Sequence, residues 1–200
     1  IVHLYRDQIV NDLQVQIENH IHDTTQFQVT VRRGFVKFKA YAKSVLEKDG
    51  IVHYSRSVLP SDVRRYLFEA FTKSFYPRVP FDSVPEKVFA AVLERDGEVR
   101  KWIRPPEGNV PIWYRGQSYN SDFLVETDAM KYMIEIKARN ELSPKLDEVV
   151  RQKALAATRW CDAASAIQGA KPWQYKLIPD DVIEPTFAFS FILNQAARIA

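Results

Sequence analysis

Residues 121–139 read SDFLVETDAMKYMIEIKAR, two short apolar runs with strand periodicity that carry charged side chains inside them. Carboxylates and a lysine within such strands are costly to bury unless they pair or hold a cation. Side chains at i and i+2 of a strand share a face. Glu135 and Lys137 therefore stand side by side, while Tyr132, Ile134 and Ile136 face the other way, into a core. In the preceding run Asp122, Leu124 and Glu126 share a face. The Thr127–Met130 link has the length of a hairpin turn, so the strands are expected to be antiparallel neighbours, with Asp122 able to lie near Glu135.

Two carboxylates that meet repel each other, and one stays protonated unless a cation is present. Mg²⁺ suits such a place, since it takes carboxylate and water oxygens and often only one or two carboxylates. The neighbouring lysine can orient a water or stabilise charge growing on a phosphate. Asp122 followed by Glu135-x-Lys137 is thus a compact device for hydrolysing a phosphodiester. Glu-x-Lys by itself is equally a solvated strand face; the preceding Asp and the surrounding element order weigh against that.

That order comes from periodicity. Before residue 80, Ile9, Leu13, Ile17 and Ile21 mark an amphipathic helix over about 8–22. Phe27, Val29 and Val31, then Val36, Phe38 and Ala40, alternate as short strands around Gly34, and the Asp49-Gly50 turn leads into another. Val63, Leu67, Phe71 and Phe75 form a second helical stripe. Pro77, Pro80 and Pro85 then break regular structure and suggest a boundary near residue 80. Beyond it, Ser83 caps a helix over 83–97, 98–104 is a strand, 111–126 a second and bent one, and 131–138 a third. A helix over 143–165 capped by Ser143 and a strand over 173–179 complete the order α-β-β-β-α-β. The expected fold is α/β, with an N-terminal α+β extension over 1–80 and the core over 81–200.

Composition removes several alternatives. The single cysteine, Cys161, excludes a disulfide framework and a cysteine-built zinc site, and fits a reducing cytoplasm. No apolar run reaches about 18 residues, so a soluble chain without membrane contact is expected. The net charge of +3 is compatible with nucleic acid. No GxxxxGK[ST] loop is present, hence no ATP site of that kind. The first residue is Ile1, from which the chain is expected to be a piece of a longer protein.

SDFLVE and YMIEIKAR resemble the PD-(D/E)xK nuclease core. With FTKSFYPRVPFDSVPEKVFAAVLE, YNSDFLVE, RQKALAATRW and WQYKLIPDD, residues 66–179 resemble the C-terminal nuclease region of the helicase–nuclease subunit of type III restriction enzymes. The resemblance implies a restriction-endonuclease-like fold and a Mg²⁺-dependent DNA endonuclease, with Mn²⁺ as a substitute, working in prokaryotic phage defence. It implies ATP-driven motor domains elsewhere in the same full-length chain, ATP serving only those, and a modification methyltransferase subunit as partner. Asp122 and Glu135 match the metal-binding carboxylates, with the Ile136 carbonyl as a further ligand, and Lys137 the catalytic lysine. Glu86 matches an acidic residue that often completes the site, and Lys153, ahead of Gln152, a polar residue on the following helix. Ser121 stands where the family has proline.

Plainer readings compete. Ser83-x-x-Glu86 is a capping box, Lys153 a solvated helix lysine, Trp160 a core residue, and Glu126 and Asp128 turn or solvent residues. His20-x-His22 lacks further ligands. Arg32, Arg33, Lys37, Lys39 and Lys43 form a basic hairpin, and Arg100, Lys101, Arg104, Arg115 and Arg139 flank the site; either set is a solvated face or a contact to DNA backbone. The rival from another class is a catalytically silent module of the same fold that binds DNA or a partner subunit.

Overall fold

A single-turn helix and three short strands open the described part of the chain. The structure is a computed structural model that describes residues 37–142, 147–167 and 169–199. The helix expected over 8–22, the strand at 27–31, His3, His20, His22, Arg32, Arg33 and Ser143 lie outside these residues. After the single-turn helix α1 (Lys43–Leu46) come β1 (Gly50–His53), β2 (Tyr66–Glu69) and β3 (Arg78–Pro80). They form one sheet, with β1 and β2 parallel and β2 and β3 antiparallel.

Next in the chain are helix α2 (Val84–Arg95), β4 (Val99–Ile103), the hairpin β5 (Ile112–Tyr114) and β6 (Gln117–Tyr119), β7 (Phe123–Thr127), β8 (Lys131–Lys137), the one-turn α3 (Arg139–Leu142), α4 (Glu148–Ser165), β9 (Trp173–Pro179) and α5 (Phe189–Asn194). The fold is mixed α/β. Its main sheet has the order β4-β7-β8-β9. β7 is antiparallel to both β4 and β8, while β8 and β9 run parallel, with α4 in the connection between them. Parallel neighbours need such a crossover. Among the described residues no helix is long and apolar enough to cross a membrane.

Alternation along the strands feeds two cores. Phe123, Val125, Ile134, Ile136 and Ile178 pack with Phe89 and Leu93 of α2 and Phe189 and Ile192 of α5. Leu124, Met133 and Leu177 pack with Val150, Ala154, Ala157 and Cys161 of α4. Those α4 positions recur every three or four residues, the stripe a helix presents to a sheet. Val52, Phe68 and Val79 of the first sheet share the core that contains α2. Backbone bonds from Phe75 N–H to Trp102 O (2.9 Å) and Trp102 N–H to Lys73 O (3.0 Å) join the segment after β2 to β4.

A charged hub ties α2 to this segment. Glu94 is buried, and its carboxylate accepts from Thr72 N–H (2.8 Å), Lys73 N–H (3.0 Å) and Trp102 Nε1–H (2.7 Å). Each of these donors is thereby paired, as burial demands.

Four expectations about local structure are corrected. The stripe Val63–Phe75 is no helix: a 3₁₀ turn at Val63–Arg65 leads into β2, and Leu67 and Phe68 are both buried between neighbouring strands. Tertiary pairing overrides a spacing that fits a helix equally well. The single bent strand over 111–126 is instead the β5–β6 hairpin followed by β7. Arg115 and Gly116 both take positive φ, 45° and 73°, the two-residue turn that matches strand twist. Helix α4 begins at Glu148, capped by Asp147, whose Oδ1 accepts from Val149 N–H (2.9 Å) and Val150 N–H (3.3 Å). Residues 37–40 form no strand. The Asn109 side chain accepts from Lys39 N–H (2.9 Å) and donates to Lys39 O (3.1 Å), taking the place of a strand partner.

Candidate metal and phosphodiester site

The register of β7 against β8 pairs Phe123 with Ile134 and Leu124 with Met133. Continued by one residue, it sets Asp122 opposite Glu135. The Asp122 Oδ2 accepts the Ile136 N–H at 2.7 Å, which fixes this carboxylate on the strand that carries Glu135. Glu135 is only 5% exposed, between the buried Ile134 and Ile136. Its Oε1 lies 3.2 Å from the Lys137 ammonium, as side chains two apart on one strand face can. Its Oε2 is buried without any hydrogen-bond partner, and so is the Oγ of Ser121.

Electrostatics follow from this crowding. Burial, then the charges of Glu135 and Glu86, hold the Asp122 carboxyl well above its usual range, and the Ile136 N–H and Arg104 only partly offset them. Glu135 is raised as well, by burial first, although Lys137 and Lys153 favour its charged form. Burial alone would lower Lys137, but Glu135 and Asp122 outweigh it and keep the ammonium above the ordinary lysine value.

Glu86 forms the capping box that the sequence allowed. Ser83 caps α2 by accepting the Glu86 N–H at 3.3 Å, and Glu86 Oε2 reaches back to Asp82 N–H at 3.1 Å, one residue before the cap. The same carboxylate is nine-tenths buried and accepts from Arg104 Nη2 at 2.9 Å. It influences Asp122 and Glu135 through its charge. Among the described residues, no three His, Cys, Asp or Glu side chains come together as a metal-holding group. Asp122 and Glu135 are a pair of interacting buried carboxylates, and Glu86 acts on both through its charge.

Lys153 of α4 places its ammonium 5.3 Å from the Tyr119 ring centroid and 5.6 Å from that of Tyr114, and its charge reaches Glu135. Gln152 instead donates to Glu148 along the helix at 2.7 Å. Tyr119 and Tyr175 belong to the core that α4 covers, near enough to the two carboxylates to feel their charge. Burial first, then Glu135 and Asp122 among other neighbours, push both phenols up, so they stay neutral donors. The Tyr119 hydroxyl donates to Lys153 O at 2.9 Å.

Tyr119 and Tyr175 were not singled out as site residues by sequence reasoning, and Arg104 was named only as a flanking cation, not as the partner of Glu86. For Tyr119 a signal existed, three residues before Asp122 in an aromatic run; the Arg104–Glu86 pair, eighteen residues apart, had none. The flanking cations are largely engaged within the protein. Arg100 forks onto Asp128 (2.8 and 2.5 Å), the Arg139 Nε–H is shared between the two Asp181 oxygens (3.1 and 2.9 Å), and Arg115 meets Glu148 at 3.4 Å. Asp128 is an exposed ion-pair partner, and Glu126 pairs with Lys171 at 2.6 Å. Trp160 packs edge-on against Trp173 at the border of the second core.

The residues fit a hard divalent cation. Two carboxylates converge, one oxygen of Glu135 is orphaned, and a cation in place would relieve the repulsion between them. Comparison with models of known protein families gives no match, and comparison with curated proteins gives none either.

Proposed function

We propose that this chain is a metal-dependent DNA endonuclease domain with a restriction-endonuclease-like core, hydrolysing phosphodiester bonds. The observation that carries the reading is the buried Glu135, joined to Lys137 on one strand and facing Asp122 across the next, with an oxygen that no protein group satisfies. The element order α2-β4-β7-β8-α4-β9, with the site where β7 begins and β8 ends, supports it. We further read the domain as part of a type III restriction-like helicase–nuclease of the prokaryotic cytoplasm. ATP would serve motor domains of the same full-length chain, and a methyltransferase subunit would be the partner.

Asp122 and Glu135, with the Ile136 carbonyl, would hold Mg²⁺ or Mn²⁺, which when bound polarises a phosphoryl oxygen and lowers the pKa of a bound water. The chain's own groups do the rest. Lys137 stays protonated at neutral pH and sets a fixed positive charge where negative charge grows on the phosphate. Glu135 orients that ammonium through Oε1. The Ile136 N–H keeps Asp122 from swinging away. Glu86, held by Arg104 and Asp82, adds negative potential without moving. Lys153 contributes a second positive charge from α4.

The test is nicking of supercoiled plasmid in Mg²⁺ or Mn²⁺, beside calorimetric titration of Mn²⁺. Metal-dependent nicking that disappears in Asp122→Asn and Lys137→Ala is the expected result. Absence of nicking together with Mn²⁺ binding that Asp122→Asn leaves intact would overturn the reading, and the silent module would replace it.

A further inference from the structure

A cleft of about 480 Å³ runs beside helix α2, between it and the turn after β1. Lys87, Ala91 and Arg95, four residues apart on one face of the helix, form one wall, and Tyr54, Ser55 and Ser57 stand on the other. No Asp or Glu lines it. None of its lining residues belongs to the Asp122–Glu135 site, so ligand binding in this cleft is independent of the proposed nuclease activity.

Lys87 is the anomaly. It is only 8% exposed, yet among the described residues its ammonium has no ion-pair or hydrogen-bond partner. What it has is the face of Phe68, 5.9 Å from the ring centroid. The stem is packed while the ammonium keeps contact with solvent; this partial burial, with no counter-charge beside it, holds the lysine below its ordinary pKa. Arg95 stands eight residues along the same wall. Its guanidinium carries five N–H donors, and one makes a long bond to Phe187 O at 3.4 Å. On the opposite wall the Ser57 hydroxyl has no side-chain hydrogen bond among the described residues, and the Ser55 hydroxyl pairs with His53 Nδ1 at 2.7 Å. Two cationic residues and two serines thus line one space without acid. A planar carboxylate would engage one wall. A tetrahedral dianion presents oxygens to both and matches the two positive charges.

We propose that this cleft binds a small phosphorylated molecule, its phosphomonoester held between Lys87 and Arg95 with Ser57 donating from the opposite wall. The volume lies in the range of small-ligand pockets, about 300–1,000 Å³. It leaves room for a body of sugar size beyond the phosphate, against the apolar surface of Val88 and Pro185.

The experiment is calorimetric titration of the full chain with inorganic phosphate and with ribose 5-phosphate at constant ionic strength. Ribose and acetate are the controls, and Lys87→Met and Arg95→Gln the variants. Saturable binding of ribose 5-phosphate, absent for ribose and acetate and weakened about tenfold or more in each variant, is the expected result. Thermal melting supplies a second readout. Met keeps the packed stem and removes the charge, so Lys87→Met melts higher than the native chain without ligand, and ribose 5-phosphate raises the native midpoint but not the variant's. Arg95 is exposed, so its variant folds whatever happens at Lys87. Equal affinity in the native chain and Arg95→Gln, or no saturable binding of either phosphate probe, overturns the proposal.

Discussion

The Ile136 N–H donates to the Asp122 carboxylate at 2.7 Å, so the acid that begins one strand is fastened to the backbone of the next, between Glu135 and Lys137. That bond fixes where the Asp122 carboxylate stands beside the pair that β8 itself sets side by side, without drawing on the Glu135 or Lys137 side chain.

Removing the Asp122 charge should stabilise the metal-free protein. Asp122 and Glu135 both have folded-state pKa values raised above their unfolded ones. Their stabilising contribution is therefore complete below the unfolded carboxylate range and is lost as pH rises through the folded values. At neutral pH in chelator, Asp122→Asn should gain on the order of 1 kcal/mol, because Asn still accepts the Ile136 N–H. Urea midpoints from pH 4 to pH 8 check this: the gain should grow with pH, and a pH-independent difference would contradict it.

Lys137→Met should do the opposite. It leaves the Glu135 carboxylate buried with neither oxygen paired. The expected loss is about 2–4 kcal/mol at neutral pH. Glu135→Gln combined with Lys137→Met should restore much of it, and a double-mutant cycle in urea measures the coupling.

Glu94→Ala should be among the most destabilising single changes in the chain, by about 3–5 kcal/mol. It strands two backbone N–H groups and the Trp102 indole N–H inside the core. Glu94→Gln keeps an acceptor oxygen and should cost less. Trp102 fluorescence during denaturation follows both.

Cys161 should be inert in the native state. Burial between α4, on which it lies, and the sheet, then the nearby Asp162 charge, push its thiol up to about 12. The unfolded thiol ionises at about 8.5. The raised folded value means the contribution to stability is full below the unfolded pKa and is lost between there and about pH 12. Disulfide-exchange reagents should label it only after denaturant is added. The native chain should lose more stability between pH 8 and pH 10 than Cys161→Ala does.

Much of this was legible in the chain itself. Apolar alternation located β4, β8 and β9, though it ran β7 together with the hairpin before it, and the period of two put Glu135 and Lys137 on one face because successive strand side chains must oppose each other. Ser83 and Glu86 announced the start of α2 because a helix N-terminus leaves N–H groups that a nearby hydroxyl and carboxylate can satisfy. These are local relations, decided within a few residues. The strand at Tyr66–Glu69, the Arg104–Glu86 pair, the burial of Glu135 near Tyr119 and Tyr175, and the unpaired Lys87 depend on which distant segments meet. A spacing of three or four suits a helix until neighbouring strands take up its backbone. A glutamate reads as solvated until a second core closes over it. Those outcomes belong to tertiary structure, because burial and long-range pairing exist only once the chain has folded.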